Sequence, residues 1–269
     1  MSISHPSGKA AERLRPLGRI PGDGAFSVAD LHQLDEAVRD ARLASTASAT
    51  ALLAPVVADG DATSLTERSC VFDHCGVLLF PRTLEAGLRE LERLGLAPLP
   101  AVPSTVVRRR LIERYGLEPA DCEVHLTRLH LDLPDGRRHG AVEVFLFPRD
   151  SRAFHPRIEE SEVAHGFEQH TAFVVTEPSP PLLAALVAAW RTEAGLLREG
   201  GGHNPHEGGP QGSTVMYFVR GHERPARRRR FELHCAGDLR EFTERLPVET
   251  EAVGRAYTAW RPARPDIPA

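Results

Sequence analysis

Two apolar segments of this chain each contain a histidine, and two later segments each contain a glutamate. CVFDHCGVLLF contains His74 and EQHTAFVV contains His170, whereas Glu143 lies in AVEVFLF and Glu232 in RRFELHCA. Imidazoles and carboxylates are common ligands of divalent metals, and two histidines with one carboxylate leave positions open for oxygen or a chelating substrate. The four residues therefore predict a metal site.

Each of these residues also has a simpler explanation when it is taken alone. A histidine in a strand is usually a hydrogen-bonded core or edge residue, and a glutamate in an alternating strand usually faces solvent. The metal prediction depends on recurrence, because each glutamate follows its histidine at a similar distance in the two halves of the chain.

The order of predicted elements repeats along the chain, which indicates an internal duplication of one supersecondary unit. In the first half we predict a strand, a helix, a partly helical stretch and a hairpin, at residues 70–80, 83–94, 96–116 and 123–147. In the second half we predict a strand, a helix, a glycine-rich loop and two strands, at residues 168–176, 180–197, 199–212, 213–220 and 229–236.

A helical extension precedes the repeat and occupies residues 1–68. Ser27 and Asp30 have the spacing of a capping box, which predicts a helix beginning there and ending near Ser45. We place the first repeated module at residues 69–150 and the second, with its glycine-rich loop, at residues 151–269.

The residues that begin the histidine-bearing strands, together with the last glutamate strand, resemble the vicinal oxygen chelate superfamily. This superfamily includes glyoxalases, extradiol dioxygenases, and hydroxyphenylpyruvate- and 2-oxoadipate-type dioxygenases. The resemblance covers about residues 70–240 and is carried by Asp73-His74, by Gln169-His170-Thr171-Ala172-Phe173 and by Phe231-Glu232-Leu233. It implies an α+β fold in which two βαβββ modules form a curved mixed sheet around a central cleft, preceded by the helical segment.

The resemblance to dioxygenases of this superfamily implies a metal triad of His74, His170 and Glu232. Fe(II) is the favoured ion, with Mn, Zn or Ni as alternatives. Glyoxalase-like members also use a glutamate at the place of Glu143, so Glu143 is a candidate fourth ligand or catalytic base.

Strand alternation suggests which residues surround this site. Arg228, Arg230 and His234 share the parity of Glu232, so an arginine there is predicted to bind a substrate carboxylate, the alternative being a solvated strand edge. The apolar parity of the hairpin changes near Thr127-Arg128, which predicts a β-bulge.

The remaining candidates are histidines and one helix-borne arginine. His125 and His130 are predicted to act as acid/base or supporting residues near the site, although a plain structural role is the simpler explanation for either. His203 and His206 lie in the glycine-rich loop, which is predicted either to close over substrate as a lid or to be disordered. Arg110 is a weaker candidate for substrate binding, because helix arginines are usually solvated.

Three functions fit these patterns. The first is an Fe(II) dioxygenase that acts with O2 on a 2-oxo acid or a catechol-like substrate, suited to bacterial natural-product metabolism. The second is a metal-independent cyclase, condensing enzyme or isomerase that uses Glu143, His125 and Arg110 for acid/base chemistry. The third is a ligand-sequestering protein of the same fold, against which an aromatic content of only 6% argues mildly.

Composition excludes several other classes. A net charge of −4 does not favour a nucleic-acid partner, and no apolar run reaches the roughly 20 residues that span a bilayer. The four cysteines form no C-x-x-C pair, and the N-terminus lacks a secretory signal, so we expect a cytoplasmic protein. The exposed helical extension is compatible with a homodimer.

Overall fold

The computed structural model describes residues 24–55, 61–132, 138–207, 209–221 and 228–260. Its helices are α1 (Val28–Ala44), α2 (Ala49–Leu53), α3 (Asp61–Ser69), α4 (Leu84–Arg93), α5 (Thr105–Tyr115), α6 (Pro156–His165), α7 (Pro180–Thr192), α8 (Arg240–Arg245) and α9 (Thr250–Ala259). Its strands are β1 (Cys70–Leu79), β2 (Val102–Pro103), β3 (His125–Asp132), β4 (Arg138–Leu146), β5 (His170–Val175), β6 (Leu196–Asn204), β7 (Ser213–Arg220) and β8 (Arg230–Ala236).

The eight strands form one mixed sheet in the order β2-β3-β4-β1-β5-β8-β7-β6. Strand β1 is parallel to β4, strand β5 is parallel to β8, and β1 and β5 pair antiparallel at the centre. Each half of the sheet therefore has its first and last strands side by side, and the two halves meet through their first strands. This is the predicted α+β fold of two βαβββ units, and the prediction is confirmed.

Alternation of side chains gives the sheet one helix-covered face and one cleft face. Val77 of β1 and Leu34 of α1 belong to one apolar cluster on the covered face. Phe173 of β5 and Trp190 of α7 belong to a second cluster on the same face of the other module. The side chains of alternate residues in β1, β4, β5 and β8 therefore point the other way, into the cleft.

The N-terminal helix begins as predicted. Ser27 and Asp30 form the capping box of α1, and the helix ends at Ala44 with Ser45 as its C-cap. Asp30 is fully buried and also accepts a hydrogen bond of 2.9 Å from the backbone N–H of Phe80, just after β1. One carboxylate thus caps the helix and joins it to the central strand.

Two predicted segments differ in the structure. The stretch before Cys122 contains both a short strand, β2, and a helix, α5, rather than only a partly helical stretch. The predicted loop at 199–212 is wrong over its first part, because residues up to Asn204 form the edge strand β6. A Cβ on Gly201 would lie 2.1 Å from the Val215 carbonyl oxygen, so glycine here permits close approach of two strands rather than forming a lid.

Boundaries and one bulge also shift. Helix α7 ends at Thr192 rather than at residue 197, since β6 begins at Leu196. The predicted bulge at Thr127-Arg128 is wrong, because β3 pairs regularly with β4 there; the register shifts beyond Leu129, where β4 carries the extra residue. The predicted turn Pro134-Asp135-Gly136 falls outside the described residues. Among those that are described, no helix is long and apolar enough to cross a membrane.

Candidate metal centre

The structure brings together the four polar residues that recur in the sequence. The side chains of His74, His170, Glu143 and Glu232 are between 0% and 5% exposed and offer four ligand atoms within 4.8 Å of one another. They come from β1, β5, β4 and β8, the adjacent first and last strands of the two modules. The pseudo-symmetry of the sheet therefore places two imidazoles and two carboxylates at one point of the cleft.

The separations suit ligands around one ion. The two histidine Nε2 atoms are 3.2 Å apart, His74 Nε2 is 3.3 Å from Glu143, and His170 Nε2 is 3.2 Å from Glu232. The two remaining His–Glu distances are 3.9 and 4.0 Å. An ion held at about 2.1 Å by each ligand separates neighbouring ligands by about 3.0–3.5 Å, so the arrangement fits a divalent cation.

Both imidazoles are oriented by partners on their other nitrogen. The Nδ1 of His74 lies 2.8 Å from the Asp73 carboxylate, and the Nδ1 of His170 lies 2.8 Å from the Glu168 backbone carbonyl. A carbonyl can only accept, so His170 carries a proton on Nδ1, and Nε2 is the nitrogen left to offer a lone pair to an ion. Such partners hold metal-ligating histidines in the correct tautomer.

The electrostatics of the centre favour a positive charge. Burial lowers the pKa of His74, but the neighbouring carboxylate of Glu143 outweighs this effect and raises that pKa to about 10. Burial raises the pKa of Glu143, yet the imidazole of His74 holds it well below its usual range. The buried Oε2 of Glu232 has the imidazole of His170 as its ionic partner, at 3.2 Å. In the metal-free protein a proton on His74 therefore occupies part of the place that a cation would take.

Gly76 makes room for the second histidine. It pairs with His170 across β1 and β5, and a Cβ on it would lie 2.0 Å from Cε1 of that imidazole. A glycine within a strand weakens the strand and commonly marks such a close approach. The sequence CVFDHCGVLLF thus contains one ligand, His74, and the space needed by another.

A shell of further polar residues surrounds the four ligands. The guanidinium of Arg128 contacts Asp73 at 2.8 Å, Glu143 at 3.3 Å and Glu207 at 2.9 Å. His234, predicted to lie near the site, is 3.6 Å from both Asp73 and Glu207, and neither of its ring nitrogens has a hydrogen-bond partner. The cleft beside the ligands is lined by residues that include Ser104, Phe145, Asn204, Glu207 and Tyr217.

The predicted substrate arginines have other partners. Arg230 does share the cleft face with Glu232 and is 1% exposed, which makes the solvated-edge explanation wrong. Its guanidinium is held by Glu168 at 3.2 Å and by Glu199 at 2.8 Å, although its second terminal nitrogen has no partner. Arg110 is half-buried and pairs with the same two glutamates, at 3.2 and 2.7 Å. Both arginines are thus paired with carboxylates of the protein, and their contact with substrate stays a prediction.

The ion pairs that Arg110 and Arg230 form with Glu168 and Glu199 help to position the metal centre. Burial by itself raises the pKa of Glu168. The positive charges of Arg110, Arg230 and Arg114 outweigh burial and lower this pKa to about 2. The backbone carbonyl of the same residue orients His170. The network thus fixes the chain immediately before β5.

The other predicted residues lie outside the four-ligand cluster. His125 is on the opposite face of β3 from Arg128, and burial lowers its pKa. His130 has the same parity as Arg128 but lies farther along β3, where the register with β4 shifts, and it is not among the four clustered ligands. His203 packs against Thr214, and His206 is exposed in the turn after β6.

Arg228 also lies apart from the cluster. It precedes β8, and its charge acts on the Cys75 thiol, which faces the helix-covered side of the sheet.

Sequence reasoning missed the contributions of Arg128, Glu207 and Tyr217. Arg128 is directly opposite Glu143 in the β3–β4 pairing, so correct hairpin register would have identified it. Glu207 comes from the turn after a glycine-rich strand, where no pattern marks it.

Comparison with known proteins gives a likeness in structure rather than in sequence. No model of a known protein family matches the chain, and no curated protein matches its sequence significantly. Among solved structures, the chain is similar to a triple mutant of 4-hydroxymandelate synthase from Streptomyces coelicolor, with 13% sequence identity and a TM-score of 0.36. The match covers 71% of this chain and 54% of that chain, so this chain spans about half the length of the structure it matches. The likeness concerns the fold alone.

Proposed function

We propose that this protein is a divalent-metal enzyme that binds a small substrate through two neighbouring oxygen atoms. The observation that carries the proposal is the buried set of two imidazoles and two carboxylates, whose spacing fits one ion and whose facing nitrogens cannot both carry protons. When bound, the ion would act as a Lewis acid and lower the cost of negative charge on a chelated oxygen.

The number of ligands that the protein offers supports a more specific reaction class, one without oxidation or reduction. If His74, His170, Glu143 and Glu232 all hold a six-coordinate ion, a substrate bound by two oxygens takes the last two positions, and none remains for O2. The carboxylates adjacent to those positions are then the bases that can remove a proton from the carbon beside the chelated oxygen. The reaction class is proton transfer on a carbonyl or hydroxy-carbonyl substrate, as in an isomerase or a lyase.

A specific contact favours an Fe(II) dioxygenase as the second candidate. Arg128 donates to Glu143 at 3.3 Å, whereas the described ionic partners of Glu232 are the two ligand histidines, at 3.2 and 4.0 Å. If the guanidinium keeps Glu143 away from the ion, the remaining ligands are His74, His170 and Glu232, the facial triad that leaves a position for O2. A 2-oxo acid or catechol-like compound from natural-product metabolism would then be the substrate.

The geometry gives less support to the other two hypotheses. A metal-independent acid/base set would need Glu143, His125 and Arg110 to converge, yet Arg110 is bound to Glu168 and Glu199, and His125 is on the other face of its strand. A sequestering protein would be expected to have aromatic walls, but the described lining of the cleft contains only Phe145 and Tyr217 as aromatic residues.

The deciding experiment compares metals and reactions in parallel. Purified protein is loaded anaerobically with Fe(II), Mn(II), Ni(II) or Zn(II) and given 2-oxo acids, catechols and 2-hydroxy ketones in D2O. We expect deuterium incorporation with the redox-inert Zn(II) and no oxygen uptake. Oxygen uptake that requires Fe(II) and survives Glu143→Gln would instead establish the dioxygenase.

Metal content provides the control for this experiment. His170→Ala should lose the bound ion, whereas His206→Ala, in the exposed turn, should retain it. If the wild-type protein binds none of the four ions, the proposal is wrong. Ligand binding without turnover would favour the sequestering protein.

A further inference from the structure

We propose that Arg128 receives a carboxylate of the substrate, and that Glu207 occupies this position while the cleft holds no substrate. The inference rests on the proposed function, because it names the substrate class of the same cleft. It also moves the predicted carboxylate-binding role from Arg230, which Glu168 and Glu199 already neutralise, to a residue beside the ligands.

Arg128 is the arginine in contact with the ligand set, among the residues that the structure describes. It projects from the cleft face of β3 opposite Glu143, and its side chain is 16% exposed. Its Nη1 donates to Asp73 at 2.8 Å, while its Nη2 donates both to Glu143 at 3.3 Å and to Glu207 at 2.9 Å. A planar guanidinium in this position can bind a carboxylate through two parallel hydrogen bonds.

Glu207 differs from the other carboxylates that Arg128 contacts. Asp73 and Glu143 belong to the central strands β1 and β4, whereas Glu207 belongs to the turn between β6 and β7. Its second oxygen accepts from the Ser213 hydroxyl at 3.0 Å. Glu207 is therefore the partner that can leave Arg128 without disturbing the sheet.

The charges around Arg128 indicate that a substrate carboxylate would replace Glu207 rather than bind in addition to it. Arg128 carries the one guanidinium charge that contacts the carboxylates Asp73, Glu143 and Glu207, and Glu232 adds a fourth negative charge nearby. A divalent ion would still leave a negative excess, so another carboxylate could enter only against repulsion. If a substrate carboxylate replaces that of Glu207, the charge of the site stays the same.

The unpartnered imidazole of His234 supplies a second, independent observation. His234 is 9% exposed, both of its ring nitrogens lack hydrogen-bond partners, and it stands 3.6 Å from the Glu207 carboxylate. An oxygen that took the place of Glu207 would have this imidazole beside it as well as Arg128. The pair therefore fits a carboxylate-bearing chelator, such as a 2-oxo or 2-hydroxy acid.

The test uses two chelators that differ in carboxylate content. Oxalate and acetohydroxamate each bind a metal through two oxygens, but only oxalate has carboxylates. Their dissociation constants are measured by calorimetry on the metal-loaded protein, with metal content and thermal unfolding recorded for each variant. Arg89→Met and Glu85→Gln, from an exposed ion pair on α4, are the matched controls.

We expect Arg128→Met to weaken oxalate binding roughly tenfold to a hundredfold, because a charged hydrogen-bonding partner is lost, and to change acetohydroxamate binding less than about threefold. Glu207→Gln should strengthen oxalate binding by about tenfold and leave acetohydroxamate unchanged, since the competing anion is removed. Arg128→Lys, which keeps the charge without the planar fork, should lie between wild type and Arg128→Met.

Other outcomes overturn the inference in distinguishable ways. If Arg128→Met weakens both chelators equally, Arg128 only positions Glu143 and Asp73. If Glu207→Gln does not strengthen oxalate binding, Glu207 is not the competing anion. If the wild-type protein binds no metal ion, that result instead contradicts the proposed function.

Discussion

Replacing Gly76 by alanine tests the metal centre with a single methyl group. The added Cβ would lie 2.0 Å from Cε1 and 2.5 Å from both nitrogens of the His170 ring. Gly76 does not have a positive φ, so alanine meets no backbone strain there. The perturbation is therefore directed at one imidazole.

The size of the effect follows from that contact. The ring must withdraw from 2.0 Å to the ordinary contact distance of 3.4 Å, a movement of about 1.4 Å. Metal–ligand distances tolerate changes of only about 0.2 Å, so His170 would cease to be a ligand. Because losing an outer hydrogen-bond partner of a ligand already costs 10- to 100-fold in affinity, we expect Gly76→Ala to weaken Zn(II) binding more than roughly a hundredfold, or about 2.7 kcal/mol.

Competition with a chromophoric chelator measures this affinity, and two comparisons isolate its cause. Gly254→Ala, in α9 with no neighbour within 4 Å, is the matched control and should bind Zn(II) like the wild type. In a His170→Ala background the imidazole is absent, so adding Gly76→Ala should cost little further affinity. Wild-type affinity in Gly76→Ala, or an undiminished loss in the double variant, would refute the proposed role of His170.

Three further predictions concern the residues that support the centre. Asp73→Asn should weaken Zn(II) binding by about 10- to 100-fold, since Asp73 orients His74 at 2.8 Å, and an unchanged affinity in the competition assay would contradict this role. Glu168→Gln should destabilise the protein by roughly 3–5 kcal/mol at pH 7, because Arg110, Arg114 and Arg230 lose a buried carboxylate that they share. The stabilisation by Glu168 is present above its ordinary pKa of 4.5 and is lost as pH falls towards its folded pKa of about 2, so urea denaturation should show the difference shrinking at low pH, with exposed Glu85→Gln as control. In the metal-free protein the pKa of His74 is raised from 6.5 to about 10, so its stabilising contribution is complete below pH 6.5 and disappears as pH rises through 10; unfolding measured from pH 6 to 10 should show a loss that is absent in His74→Gln.

Most of the fold and the identity of the four central residues could be predicted from the sequence. Apolar periodicity identified β1, α4, β5 and α7, and the Ser27–Asp30 spacing identified the start of α1, because these signals are local properties of neighbouring residues. The pairing of His74 with Glu143 and of His170 with Glu232 was visible as a repeat. A repeated order of elements constrains topology, because each unit buries its apolar face in the same way.

The partners of each charged side chain were decided only by the tertiary structure. Arg230 was predicted on the correct face, but its partners Glu168 and Glu199 lie on other segments, so nothing local to β8 indicates that they neutralise it. Arg128 contacts Glu207, which lies in the turn after the glycine-rich edge strand β6. The close approach of backbone segments positions that turn, and no side-chain pattern in the sequence indicates it. Local sequence thus determined which residues form strands and which side chains share a face. The convergence of strands distant in sequence determined which charges meet, since ionic contacts depend on distance in space.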